Sequence, residues 1–128
     1  MGKVNKLTKK ATLNLKHVVE QLNLKPMTKI NDYPDIINGY VSDLLSDVIA
    51  NADEGFVWIT IQKHVNIIAV AKLKKISAII ITNGSKPEKE VMEKAEEENV
   101  ILLTTNDNSF VISGKLYCLL NNNTSKEE

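Results

Sequence analysis

The apolar positions change period repeatedly along the chain. From Gly39 to Ala52, the residues Val41, Leu44, Leu45, Val48, Ile49 and Ala52 recur at helical spacing, with Ser42, Asp43, Ser46, Asp47 and Asn51 opposite them. That pattern predicts a helix packed on one side. Gly55 follows, and Phe56 to Ile61 is then an almost unbroken aromatic and β-branched run, which reads as a strand buried on both faces. The same unit recurs downstream. A short, deeply packed helix with Ile67, Ile68 and Ala71 is predicted from Asn66, its capping residue, to about Lys75, and Ala78 to Ile81 is the next strand. Ser85 and Glu88 match a capping box with Pro87 in the first turn. The helix they start runs through about Glu98, buries Val91, Met92 and Ala95, and turns Lys89, Glu93, Lys94 and Glu97 to water. Val100 to Thr104 is the third strand, and Asn106 or Asp107 caps a last helix ending near Leu120.

Ahead of this series, Leu13 to Leu22 forms a helix with Leu15, Val18, Val19 and Leu22 on one face and His17 beside it. Asn23 ends it, Lys25-Pro26 breaks the pattern, and Met27 to Ile30 reads as a short strand before a polar turn region, Asn31 to Gly39, punctuated by Pro34. Three apolar strands, each followed by a helix through short connections, require right-handed parallel crossovers. The expected fold is an α/β protein, a three-layer α/β/α sandwich with a mainly parallel central sheet. Residues 13–120 form its single domain, between a flexible basic leader at 1–12 and a polar tail at 121–128.

Composition narrows the function more than it names it. With 128 residues the chain is long enough for a real core without metal or disulfides. Its 16 basic and 16 acidic residues cancel, which removes the electrostatic case for nucleic acid or a membrane as partner. Every basic residue is lysine. Without arginine there is no bidentate clamp for phosphate, so an anion would rest on backbone N–H groups, lysines and helix termini. Lys3, Lys6, Lys9 and Lys10 form a basic arm that reads as a solvated leader, with contact to DNA as the competing reading. Met1-Gly2 is not a myristoylation signal, because Lys6 stands where Ser or Thr is needed. Cys118, alone and flanked by leucines, reads as a buried small hydrophobe in a reducing cytoplasm. No apolar run approaches the length of a membrane span.

In open parallel sheets ligands bind beyond the carboxyl ends of the strands. The exits here are uniformly polar: Thr60, Gln62, His64 and Asn66 after the first strand, Thr82, Asn83 and Gly84 after the second, Thr104, Thr105 and Asn106 after the third. Such a rim suits a small polar or phosphorylated ligand; the plainer reading is that these residues only end strands and cap helices. His64 is the one rim residue that titrates near neutrality, hence the one candidate acid or base, but no Cys, Ser or carboxylate stands at a diagnostic spacing from it. The Ser42-Asp43 and Ser46-Asp47 repeat reads as a solvated or partner-facing surface. No nucleotide-binding, nucleophile-elbow or metal-ligand motif occurs, so no cofactor or metal is expected.

Through GYVSDLLSDVIANADEGFVWITIQKHVNIIAVA, AIIITNG, ILLTT and the closing helix, about Leu15 to Leu120, the chain resembles the short stand-alone members of the DRTGG domain family. The resemblance implies an α/β/α fold like the N-terminal domain of HPr kinase/phosphorylase and a non-catalytic regulatory or dimerising role. Elsewhere the domain accompanies CBS pairs in regulated pyrophosphatases and precedes phosphate acetyltransferase domains. The motif that names the family reads Asp35-Ile36-Ile37-Asn38-Gly39 here, keeping only Asp35 and Gly39, and a common H-P-N loop reads His64-Val65-Asn66. The expected function is a homodimeric regulatory or scaffold module that senses a small phosphorylated or nucleotide-like metabolite and acts on a protein encoded nearby. The alternative is an accessory enzyme of phosphotransfer metabolism using His64 and the strand-end threonines.

Overall fold

Segments without a polar face have to lie in the middle of a layered structure. In a computed structural model, which describes residues 12–126, they do. The elements in chain order are β1 (Leu13–Asn14), α1 (Leu15–Gln21), β2 (Lys25–Pro26), β3 (Asp35–Ile36), β4 (Asn38–Val41), α2 (Leu45–Asn51), β5 (Phe56–Thr60), α3 (Asn66–Lys74), β6 (Ala78–Ile81), α4 (Lys89–Glu98), β7 (Leu102–Thr104) and α5 (Ser109–Lys126). Five strands make one sheet in the order β2-β7-β6-β5-β4, and β1 pairs separately with β3. β4, β5, β6 and β7 are parallel, whereas β2 runs antiparallel along β7.

Side chains alternate across the sheet into two cores. Trp58, Ile79, Ile81 and Leu102 meet Val48, Ile67, Ile68, Val91 and Ala95 of α2, α3 and α4 on one face. Val57, Ile59, Ile80 and Leu103 meet Leu15, Val18, Ile112 and Leu116 of α1 and α5 on the other. The α/β/α sandwich is thus as the apolar pattern requires. Its winding also follows from handedness: four strands laid down in one direction put all three right-handed crossovers on the same face. After β7 the chain returns across the other face, where α5 packs on β4 and β5.

Several local expectations are corrected. Val41 to Ala52 is not one helix. Tyr40 and Val41 pair with Trp58 and Ile59 as an edge strand, and helix starts only at Leu45. Sheet pairing satisfies the backbone there, and it leaves Leu44 64% exposed. The strand expected at Met27 to Ile30 lies earlier, at β2, although Met27 N–H still reaches the Leu102 carbonyl (2.8 Å) and Thr28 Oγ1 accepts the Leu102 N–H (3.3 Å). The polar turn region Asn31 to Gly39 contains β3 and the start of β4.

Helix starts are shifted too. Asn66 does not cap α3; His64 Nδ1 accepts the Asn66 N–H (3.4 Å) and the His64 carbonyl that of Ile67 (3.1 Å). Ser85 and Glu88 form no capping box, because α4 begins at Lys89 with Glu88 itself as N-cap. Asn108, rather than Asn106 or Asp107, caps α5 by accepting the Val111 N–H (2.9 Å), and α5 runs past Leu120 to Lys126. Asn23 does end α1, in the left-handed conformation with φ 54. Cys118 is exposed, on the outer side of a helix that carries apolar residues on both its inner and its outer face. The lysine arm, Lys3 to Lys10, lies outside the described residues.

Candidate functional site

The carboxyl edge of the sheet is assembled around a residue that the sequence pattern assigns to the surface. Asp43 stands between β4 and α2. Its carboxylate accepts the Ile61 N–H (2.9 Å) and the Thr60 hydroxyl (2.9 Å), while Gln62 Nε2 donates to its carbonyl (3.0 Å). Thr60 Oγ1 also accepts the Gln62 N–H (3.1 Å). One acidic residue therefore fixes the exit of β5, and Thr60 and much of Gln62 are committed to it. Its only trace in the sequence is the Ser-Asp repeat, whose second copy does a parallel job: Tyr40 OH donates to Asp47 Oδ1 (2.8 Å) and Asn51 Nδ2 does too (2.8 Å). Hydrogen bonds from Ser42, Tyr40 and Asn51 hold the Asp47 carboxyl below the usual aspartate range. The bond to Asp47 raises the Tyr40 phenol.

Between β6 and β7 the following helices leave to opposite faces, which makes this the topological switch point where open α/β sheets form a ligand crevice. Here direct bonds span it. Asn83 N–H donates to the Asp107 carbonyl (2.8 Å) and Gly84 N–H to the Thr105 carbonyl (2.8 Å). Thr105 Oγ1 accepts the Asp107 N–H (3.2 Å), and the Thr82 and Ser109 hydroxyls share a bond (3.3 Å). Asn83 and Gly84 are both left-handed, and a Cβ on Gly84 would stand 3.1 Å from Asn106 Oδ1. Thr60, Thr82, Thr104 and Thr105 are buried, whereas His64, Asn66, Asn83, Gly84 and Asn106 are exposed.

A cavity of about 590 Å³ opens on this edge between the starts of α3 and α4, lined by Ile61, Gln62, Lys63, His64, Val65, Glu88, Glu90 and Val91. It gathers two expected rim residues, Gln62 and His64, with Glu88 and Glu90, whose sequence pattern speaks only of helix capping and a solvated face. The first N–H groups of α3 are already taken, Asn66 by His64 Nδ1, Ile67 by the His64 carbonyl and Ile68 by the Val65 carbonyl, whereas Glu88, the N-cap of α4, makes no side-chain capping bond. Lys63 and His64 come from one wall and the two glutamates from the other. Among the described residues no cluster of His, Cys, Asp or Glu is arranged to hold a metal ion, and no helix is long and apolar enough to cross a membrane.

The motif remnant lies elsewhere. Asp35 accepts a bond from Asn14 Nδ2 (3.0 Å) and lines a cavity of about 630 Å³ at the amino edge, with Glu54, Lys72, Lys75 and Glu98. Gly39 lies in β4 beneath α5, and a Cβ there would stand 3.0 Å from Leu116 Cδ2. The rim and the remnant are not brought together.

Among solved structures the chain is similar to the CBS and DRTGG domains of the regulatory region of Clostridium perfringens pyrophosphatase, complexed with its activator diadenosine tetraphosphate. The two are 26% identical with a TM-score of 0.62, over 77% of this chain and 44% of that one, so this chain spans less than half of that chain. No curated protein matches. The family profile of the DRTGG domain matches residues 43–117, from the aspartate that fixes the β5 exit to the outer face of α5. That stretch is more than half of the sequence, and the chain belongs to the DRTGG domain family.

Proposed function

We propose that this chain is a non-catalytic regulatory module, dimeric and cytoplasmic, that senses a small nucleotide-like or phosphorylated metabolite and passes its occupancy to a protein partner. The carrying observation is the cleft between α3 and α4. Lys63 and His64 on one wall suit a phosphate, while Glu88 and Glu90 across the cavity suit the hydroxyl and amino donors of a sugar and base. A ligand with both kinds of group fits better than inorganic phosphate, which the glutamates would repel. The volume falls within the usual range for small-molecule sites, and the nucleotide in the related pyrophosphatase region supports the ligand class.

Thermal shift of the full chain against nucleoside mono-, di- and triphosphates, diadenosine tetraphosphate and sugar phosphates tests this. A rise for nucleotides that Glu88→Lys alters selectively is expected; a flat response across the panel refutes the sensing role. His64 as a general base is the competing enzymatic reading, but its Nδ1 is engaged in a loop bond to Asn66. His64→Ala leaving any measured turnover intact would end it.

A further inference from the structure

Helix α5 carries two apolar stripes, and the fold uses one. Ile112 and Leu116 are buried against the sheet, with Leu119 and Leu120 packed beside them. On the opposite side Phe110 is 86% exposed, Tyr117 69% and Val111 39%, and Cys118 is exposed as well. Positions 110, 114, 117 and 121 recur at the spacing of one helix face. Gly114 sits in the middle of it, with nothing within 4 Å of where a Cβ would be. Two rings therefore stand out on either side of a gap, beside a cavity of about 890 Å³ that reaches Leu22 of the segment ending α1.

We infer that a second copy of this chain covers this face, the two α5 helices crossing antiparallel about Gly114. This deepens the dimeric part of the reading above and rests on it. Protrusion and gap belong to one patch, which is the condition for a self-complementary interface about a two-fold axis. With the axis at Gly114, position 110 faces position 118 of the second copy and 111 faces 117, so each ring meets a smaller side chain. Charge does not oppose this occupant. From Asn108 to Asn122 the one charged residue is Lys115, already paired with Asp107 at 2.9 Å, so apposing two such faces brings no like charges together. A strongly charged partner would find nothing to pair with.

Area then fixes the kind of dimer. Scaled by their exposure, the two rings offer about 230–390 Å² of contact surface, whereas a stable interface takes about 800 Å² from each partner. The remainder has to come from the end of α1 and from Val41, which is 48% exposed and shares a smaller cavity with Tyr117. A patch of this size suits a concentration-dependent dimer rather than an obligate one.

Sedimentation of the full chain from low-micromolar to sub-millimolar concentration tests the dimer, and cross-linking tests its face. Phe110→Glu is expected to weaken association about thirtyfold or more, as loss of a central aromatic anchor does. It should leave the melting temperature in place, because Phe110 makes little contact within the fold. Phe110→Cys is expected to form a disulfide-linked dimer through the native Cys118 under mild oxidation. The parent chain should not, and neither should Phe110→Cys combined with Cys118→Ala. Undiminished association in Phe110→Glu, or linkage in either control, overturns the α5 interface and leaves dimerisation standing. A monomer across the whole range overturns both.

Discussion

Replacing Gly39 by alanine adds one methyl group to a strand whose backbone tolerates any residue, so its effect isolates packing. The new Cβ would lie 3.0 Å from Leu116 Cδ2, and Leu116 is only 2% exposed, wedged with Val57, Ile59 and Ile112. Carbon atoms in contact prefer about 3.5–4.0 Å, so Leu116 has to shift within a close-packed core. Overpacking of this size costs about 1–3 kcal/mol. Alanine returns about 0.5–1 kcal/mol by restricting the unfolded chain. The net expectation is a loss of about 1 kcal/mol. Urea unfolding followed through Trp58, the one tryptophan and fully buried, measures it. Leu116→Ala alone should cost about 2–5 kcal/mol, and about 1.5–2 kcal/mol less when Gly39→Ala is already present, since removing the leucine then also relieves the crowding. If the two substitutions add within about 0.3–0.5 kcal/mol, the glycine is not there for α5. A loss of nucleotide response in Gly39→Ala without a loss of stability would instead make this motif residue part of a binding site.

Asp43→Ala removes the acceptor for both the Ile61 N–H and the buried Thr60 hydroxyl. A destabilisation of about 2–4 kcal/mol is expected, together with faster hydrogen exchange at the Ile61 amide; an unchanged exchange rate would show that the β5 exit holds itself. The Asp47 carboxyl titrates below its ordinary value in the folded protein because Ser42, Tyr40 and Asn51 hydrogen-bond to it. Its stabilising effect is therefore present above the unfolded value of 3.8 and is lost as pH falls through the lower folded one. Acid unfolding of Asp47→Asn should lack this part of the decline below that value, while the parent chain keeps it.

The central strands are legible because Phe56–Thr60 and Ala78–Ile81 leave no position for water on either face, and no helix of that length could do the same. Tyr40 and Val41 mislead because a four-residue edge strand is half exposed, and its apolar positions happen to fall in phase with the helix beyond it. Nothing local records that their partner is the strand containing Trp58. The same holds at the rim. Threonine marks a strand end in any such sheet, but whether its hydroxyl faces a ligand or the protein depends on groups far along the chain, as Asp43 is for Thr60. Helix caps differ by one to three residues from the expected ones because polar candidates cluster at each start and tertiary contacts choose among them. The exposure of Cys118 escapes the sequence because α5 carries one apolar stripe inward and another outward, and periodicity does not say which of them the fold buries.

The two borders of the sheet differ in kind. Along β2, Met27 N–H turns inward to Leu102, so Pro26, one position away, faces outward with no N–H to offer. Along β4 there is no proline, but the outward Gly39 N–H is already accepted by its neighbour Asn38 Oδ1 (2.9 Å). A sheet whose two margins each withhold a backbone donor, one through a proline ring and the other through an amide side chain, is a poor template for strand-by-strand growth.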